Sequence, residues 1–159
     1  MESKVDKATF KKSIVFLFAL LLFTRPLEAL TYKTYDQWEV DALGVAWVIH
    51  TYVDANADFA VVKKGTHIED DLAVNTPNSR FRRTAKETAF ESALRYFNVN
   101  NECTKKVLPL IRVIEMAPWR KSEDMEVLNF EKDIVNTLNK KDIFAAFAYI
   151  DRFCQEVQK

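Results

Sequence analysis

Apolar side chains recur at helical spacing in the first half of the chain. Asp36 can cap a helix that we predict from about residue 37 to 53, because apolar residues recur there at roughly helical spacing. These residues are Trp38, Val40, Leu43, Trp47 and Tyr52. Thr84 with Glu87 three positions later matches a capping box, and the apolar face that follows predicts a second helix up to about residue 97.

The second half of the chain predicts three more helices. Asn101 can cap a helix from about 102 to 116, in which Pro109 predicts a kink or a late start because proline lacks an amide donor. The pattern then indicates helices from about 125 to 138 and from about 142 to 157.

Short runs between these helices read as strands. The segment "DFAVVKK" (58–64) is a short strand with Phe59 and Val61 on one face, and "LAVN" (72–75) is a second short strand after a polar loop. Only two glycines occur in the chain, which disfavours a large β-architecture. The prediction is therefore an α+β fold, mainly α-helical, with about five helices and two or three short strands in a single domain.

The first 29 residues have a different character. Four lysines precede the apolar run "SIVFLFALLLF" (13–23), and the following segment ends on the small residue Ala29. This is the layout of a secretory signal peptide. An anchor is the alternative, but about ten apolar residues fall short of the roughly twenty that span a bilayer. We expect cleavage after Ala29, a mature domain of residues 30–159 without a membrane span, and a periplasmic or secreted location.

Composition and motifs narrow the classes of function. The formal net charge is zero, so there is no electrostatic case for nucleic acid. The common nucleotide and hydrolase motifs do not occur. The two histidines are His50 and His67, and the acidic residues beside His67 are more typical of a solvated loop than of a metal site. The sequence predicts no metal and no cofactor, and it favours a binding protein over an enzyme.

Two cysteines lie in the expected mature domain. Cys103 and Cys154 can close one disulfide in an oxidising compartment, or they can remain two separate thiols. No CxxC motif occurs, which gives no support to a thioredoxin-like role.

The segment "VNTPNSRFRRTAKETAF" (74–90) is the candidate ligand site. Arg80, Arg82 and Arg83 come directly before Thr84, the expected start of a helix. A helix start offers unpaired amides and partial positive charge, and arginine adds fork-shaped donors that suit tetrahedral oxyanions. In an extended segment, Arg80 and Arg82 point to one side and Arg83 to the other. The alternative is that the three arginines pair with carboxylates and hold a loop.

Three blocks of sequence carry a resemblance to a known family. They are "VDALGVAWVIHTYVDANADFAVV" (40–62), "VNTPNSRFRRTAKETAFESALRYFNV" (74–99) and "RVIEMAPWRK" (112–121). Together they resemble the chromate resistance exported protein family, whose domain also forms the C-terminal half of chromate-responsive regulators. The residues that match the family motifs include Asp41, Trp47, Asp54, Phe59, Phe90, Glu91, Glu115 and Trp119.

The chain departs from the family pattern at several positions. Val45 replaces the common cysteine, His50 replaces an arginine and Asn75 replaces an aspartate, while Ala89 stands where a threonine is usual. The paired arginines are kept. The resemblance implies a role in chromate resistance with a chromate-like oxyanion as ligand. An interaction protein that kept the fold and bound a protein partner, and a metal or redox enzyme, are the alternatives.

Overall fold

Two parallel strands open the part of the chain that the structure describes. In the computed structural model, which describes residues 29–139 and 142–155, β1 spans Thr31–Tyr35 and β2 spans Asp58–Val62. Their register pairs Thr31 with Asp58 and Tyr35 with Val62. The strand predicted at 58–64 is thus confirmed over five residues. β1 was missed, because its sequence TYKTY carries tyrosines as its only large apolar side chains.

The segment predicted as a second strand forms only single bridges. Lys33 of β1 bridges to Ala73, and Val74 bridges to Phe81. The other edge of β1 is covered in this way, since Lys33 N–H donates to Leu72 O and Lys33 O accepts from Val74 N–H. The chain turns at Asn75, whose φ is 49°, and this ends the pairing after a single bridge to β1.

The first helix starts later than its pattern predicts. α1 spans Val40–Val48 and continues as a π-helical turn over Ile49–Val53. Its N-cap is Glu39, so the prediction that Asp36 caps it is wrong. Asp36 instead has a φ of 59°, and its Oδ1 accepts from the Lys64 N–H, which closes the ends of the two strands.

Gly44 lets α1 pack closely against its neighbours. Every residue of α1 is buried. A Cβ at Gly44 would lie 2.9 Å from both Phe90 Cδ2 and Ile111 Cδ1, closer than carbon atoms approach. Glycine at this position therefore serves contact between helices rather than a turn.

Four further α-helices complete the described chain. They are α2 (Ala89–Tyr96), α3 (Glu102–Met116), α4 (Met125–Leu138) and α5 (Ile143–Gln155), and a 3-10 turn over Pro118–Glu123 joins α3 to α4. The predicted bounds of α3 and α4 are confirmed. Asn101 caps α3 as expected. The helix begins at Glu102, so Pro109 lies inside it and does not delay its start.

The capping box of α2 was assigned to the wrong residues. Thr88 and Glu91 form it, four residues after the predicted pair Thr84 and Glu87. Thr84 Oγ1 accepts from the N–H groups of Lys86 and Glu87, and this closes a turn ahead of the helix. Both threonines satisfy backbone amides, but Thr88 is the one that is followed directly by buried residues, Ala89 and Phe90, whose packing in the core favours a helix start at this point.

The core joins all five helices and the inner face of the sheet. Its largest fully buried side chains are Trp47, Phe90 and Phe130. A disulfide joins Cys103, in the first turn of α3, to Cys154 near the end of α5. The predicted class, α+β and mainly helical in a single domain, is confirmed.

The N-terminal segment predicted as a signal peptide lies outside the described residues, apart from Ala29. Among the helices that the structure describes, none combines the length and the apolar character that a membrane crossing requires.

Candidate functional site

Asp41 lies buried between two helices. It occupies the first turn of α1 and is 0% exposed. The Ala89 N–H donates to its Oδ2 and the Phe90 N–H donates to its Oδ1, each at 2.8 Å. Asp41 thereby takes the first two amides of α2, groups that have no partner inside the helix. A single carboxylate locks the start of α2 onto the start of α1.

Glu115 connects Asp41 to an arginine. The Asp41 N–H donates to Glu115 Oε1 at 3.2 Å, and Glu115 Oε2 forms an ion pair with Arg83 Nη1. Arg83 Nη2 pairs with Glu39 Oε2 at 3.1 Å. The guanidinium therefore bridges the start of α1 and the end of α3, two elements distant in sequence.

Asn75 fixes the backbone of this arginine. Its Oδ1 accepts from the Arg83 N–H at 3.1 Å, and its Nδ2 donates to Glu39 Oε2 at 3.2 Å. We call Glu39, Asp41, Asn75, Arg83 and Glu115 the Arg83 cluster. Each of the three sequence blocks contributes to it: Asp41 from the first, Asn75 and Arg83 from the second, and Glu115 from the third.

The two inner carboxyl groups of the Arg83 cluster hold protons more tightly than usual. Burial raises the pKa of Asp41 to about 6, against the opposing effect of the two amides that it accepts. Burial also raises the pKa of Glu115, although the positive charge of Arg83 opposes this. Shifted carboxyl groups beside a fixed cation are typical of sites that exchange protons or ions, and also occur in structural networks.

The three arginines of the predicted site point to different partners. Arg80 pairs with Asp71 at 2.6 Å, and its guanidinium lies 4.8 Å from the centre of the Tyr96 ring. Arg82 Nη1 donates to Pro77 O at 2.8 Å, and no described carboxylate pairs with it. Arg83 alone enters the cluster, and Thr84 lies in the turn that precedes α2.

The comparison with protein families decides the membership of the chain. The family model described as ChrB, C-terminal domain, matches residues 32–155. The chain belongs to the ChrB C-terminal domain family. The suspected relation to chromate resistance is thereby confirmed, and the match extends over α4 and α5, which lie beyond the three blocks. No curated protein and no solved structure matches the chain.

Other motif residues of this ChrB C-terminal domain have mainly structural contacts. Trp47 Nε1 donates to Asp151 Oδ1 at 2.9 Å, which ties α1 to α5. Glu91 caps α2 and pairs with Arg112 at 2.6 Å. Asp54 Oδ1 accepts from the Asn56 N–H in the turn before β2. Phe59 and Phe90 pack in the core, whereas Trp119 is 74% exposed on the 3-10 turn.

His50 lies among aromatic rings rather than acids. Its ring is 5.3 Å from the ring centres of Phe144 and Phe147, and the buried Nδ1 has no hydrogen-bond partner among the described residues. In the described ranges, no group of three or more His, Cys, Asp or Glu side chains is arranged to hold a metal ion.

The sequence analysis missed Glu39 and the role of Asn75. Glu39 matches no motif, and its position just before the true start of α1 was hidden by the early helix start that we predicted. Asn75 was noted only as a departure from the family pattern, and its left-handed φ of 49°, which asparagine tolerates, is the property that suits it to this turn.

Proposed function

We propose that this protein is an exported binding protein related to chromate resistance, which takes up a small tetrahedral oxyanion such as chromate at Arg83. The observation that carries the proposal is the convergence of all three sequence blocks on one guanidinium. Arginine offers paired donors that match oxyanion geometry, and Arg83 is held in place through its own backbone N–H.

Protonation of Glu115 frees the Arg83 guanidinium from one ion pair and so allows it to bind an anion. In the absence of a ligand, Arg83 is neutralised by Glu115 and Glu39. A doubly charged anion repels both carboxylates, so it binds best when Glu115 carries a proton and releases Nη1. Because burial raises the pKa of Glu115, its protonated form persists to a higher pH than that of an exposed glutamate, and affinity rises as pH falls.

Calorimetric titration with sulfate and chromate at pH 5.5 and 7.5 tests the proposal. Sulfate is the diagnostic ligand, because its own charge stays constant over this range. We expect tighter binding at the lower pH, with uptake of a proton, and a loss of affinity of at least about tenfold in Arg83→Ala.

Arg112→Ala is the matched control, since Arg112 is also an arginine paired with a glutamate but lies outside the cluster. It should bind like the unmodified protein. Equal binding by Arg83→Ala, or no binding of either anion at both pH values, contradicts the proposal.

The second candidate function is that of an interaction protein in which the Arg83 cluster only fastens the 74–84 loop. It is favoured by the engagement of Arg80 and Arg83 with carboxylates and by the occupation of the first α2 amides by Asp41. On this alternative, Arg83→Ala lowers the free energy of unfolding and changes no anion titration.

A further inference from the structure

β2 has an edge that no described element covers. The Asp58 N–H donates to Leu30 O, and the Val62 carbonyl accepts from the Asp36 N–H, so the main-chain groups of Asp58, Ala60 and Val62 face β1. Successive residues of a strand alternate in direction, and the N–H and C=O groups of Phe59 and Val61 therefore face outward. Within residues 29–139 and 142–155 the sheet has two strands, and β2 is paired on one side only.

The space beside this edge is open. Val61 is 43% exposed, although it lies on the same face of the strand as the core residue Phe59. A pocket of about 660 Å³ adjoins both side chains, and its apolar wall also includes Trp38, Val135, Leu138 and Ile143. Exposed strand edges of this kind are templates for pairing with another strand.

We propose that β2 pairs with β2 of a second copy of this chain, antiparallel and centred on Ala60, to form a four-stranded sheet across a twofold axis. In this register Phe59 lies opposite Val61 of the second copy. Both residues face outward, so each of these two pairs exchanges two main-chain hydrogen bonds. In this register every outward N–H and C=O group of Phe59 and Val61 therefore has a hydrogen-bond partner on the second copy.

The side chains are complementary in the same register. Each Phe59 meets a Val61, and pairs of an aromatic with a β-branched residue are among the favourable cross-strand pairs. On the other face Asp58 lies diagonal to position 64 of the second copy, where Lys64 begins the turn that follows β2 with its N–H still directed towards the β1 side, at Asp36 Oδ1. Asp58 and Lys64 are both exposed, and neither carboxylate nor ammonium has an ion-pair partner among the described residues. The opposite charges of Asp58 and Lys64 therefore favour pairing of β2 with a second β2 over pairing with an uncharged strand.

Cysteine cross-linking tests this register. Ala60 faces Ala60 of the second copy as a non-hydrogen-bonded pair, at a Cα distance of about 4.5 Å that a disulfide can bridge. Mild oxidation of the full protein carrying Ala60→Cys should give a covalent dimer. Asp58→Cys is the matched control, because residue 58 faces residue 62 of the second copy and cannot meet itself. Equal cross-linking of the two variants overturns the proposed register.

Charge reversal provides an independent measurement. We expect Asp58→Lys to weaken self-association by at least about fivefold in sedimentation equilibrium, because it places like charges across the interface. The double variant Asp58→Lys with Lys64→Asp should restore it. A protein that sediments as a monomer at every concentration, or a double variant no better than the single one, overturns the proposal. Neither outcome bears on anion binding at Arg83, which lies in a separate part of the fold.

Discussion

Asp41 shows how a single residue can join two helices at an energetic cost. Both of its carboxylate oxygens accept backbone amides of α2, and its own N–H is bound by Glu115. Two amide hydrogen bonds do not replace the hydration that a fully buried carboxylate loses, and the pKa is therefore raised to about 6 from 3.8. The charged form of Asp41 is tolerated in the folded protein rather than favoured by it.

Replacement of Asp41 by Asn should change how stability depends on pH. Because the pKa of Asp41 is higher in the folded state, its contribution to stability is fully present below about pH 4 and is lost as pH rises through 6. The asparagine variant lacks this loss. The gap in unfolding free energy between the two proteins should therefore narrow by up to about 3 kcal/mol between pH 4 and 7.

Urea denaturation at four pH values measures this gap, with Asp70→Asn as the control for removing one exposed carboxylate. A gap between Asp41→Asn and the unmodified protein that stays constant with pH would contradict the prediction, because it would mean that the two amides of α2 fully offset the effect of burial on the pKa of Asp41.

At the scale of elements, α3 and α5 are held together by covalent and noncovalent contacts. Cys103 and Cys154 are joined across a separation of 51 residues. Nearby, Lys106 Nζ donates to Phe153 O at 2.9 Å and lies 3.7 Å from the centre of the Phe153 ring. Phe130 of α4 packs on the same ring, so the disulfide closes one end of a three-helix layer.

Removal of this disulfide should destabilise the whole domain. The double variant Cys103→Ala with Cys154→Ala is expected to lose about 4 kcal/mol of unfolding free energy, because the unfolded chain regains the freedom of a long loop. Urea denaturation with and without a thiol reductant measures the loss. The reductant should lower the stability of the unmodified protein and leave the double variant unchanged; an unmodified protein that resists the reductant without change would contradict the prediction.

At the scale of the whole molecule, the proposed export agrees with the presence of a disulfide. Disulfides persist in oxidising compartments and are rare in the cytosol of mesophiles. The basic start and the apolar run of residues 13–23 have the layout that directs a chain to such a compartment.

Expression of the full chain in a Gram-negative bacterium tests export. We expect the protein in the periplasmic fraction, with Leu30 as its first residue. Leu20→Arg should retain it in the cytosol, because a charge interrupts the short apolar run, whereas Ala29→Leu should allow targeting and block cleavage. Periplasmic recovery of the Leu20→Arg variant, or an unmodified protein that still begins at its original N-terminus, would count against a cleaved signal peptide.

Local patterns were sufficient for much of the fold. The caps and apolar stripes of α3 and α4 predicted their bounds because each signal acts within one or two turns of the same helix. Local patterns gave the wrong start for α1, which is buried on all sides and so has no polar face to mark its limits. They also gave the wrong start for α2, where two threonines compete as caps.

The sequence by itself determined the mainly helical class, the membership in a family and the residues from which a site could be built. Only the tertiary structure decided which of them meet. Arg83 finds Glu115, 32 positions away, and Asp41 caps a helix that begins 48 positions later. Such contacts depend on how the helices pack, because no spacing along the chain encodes the distance between two side chains on different elements. For the same reason, Arg80, Arg82 and Arg83 lie together in sequence although their guanidinium groups bind different partners.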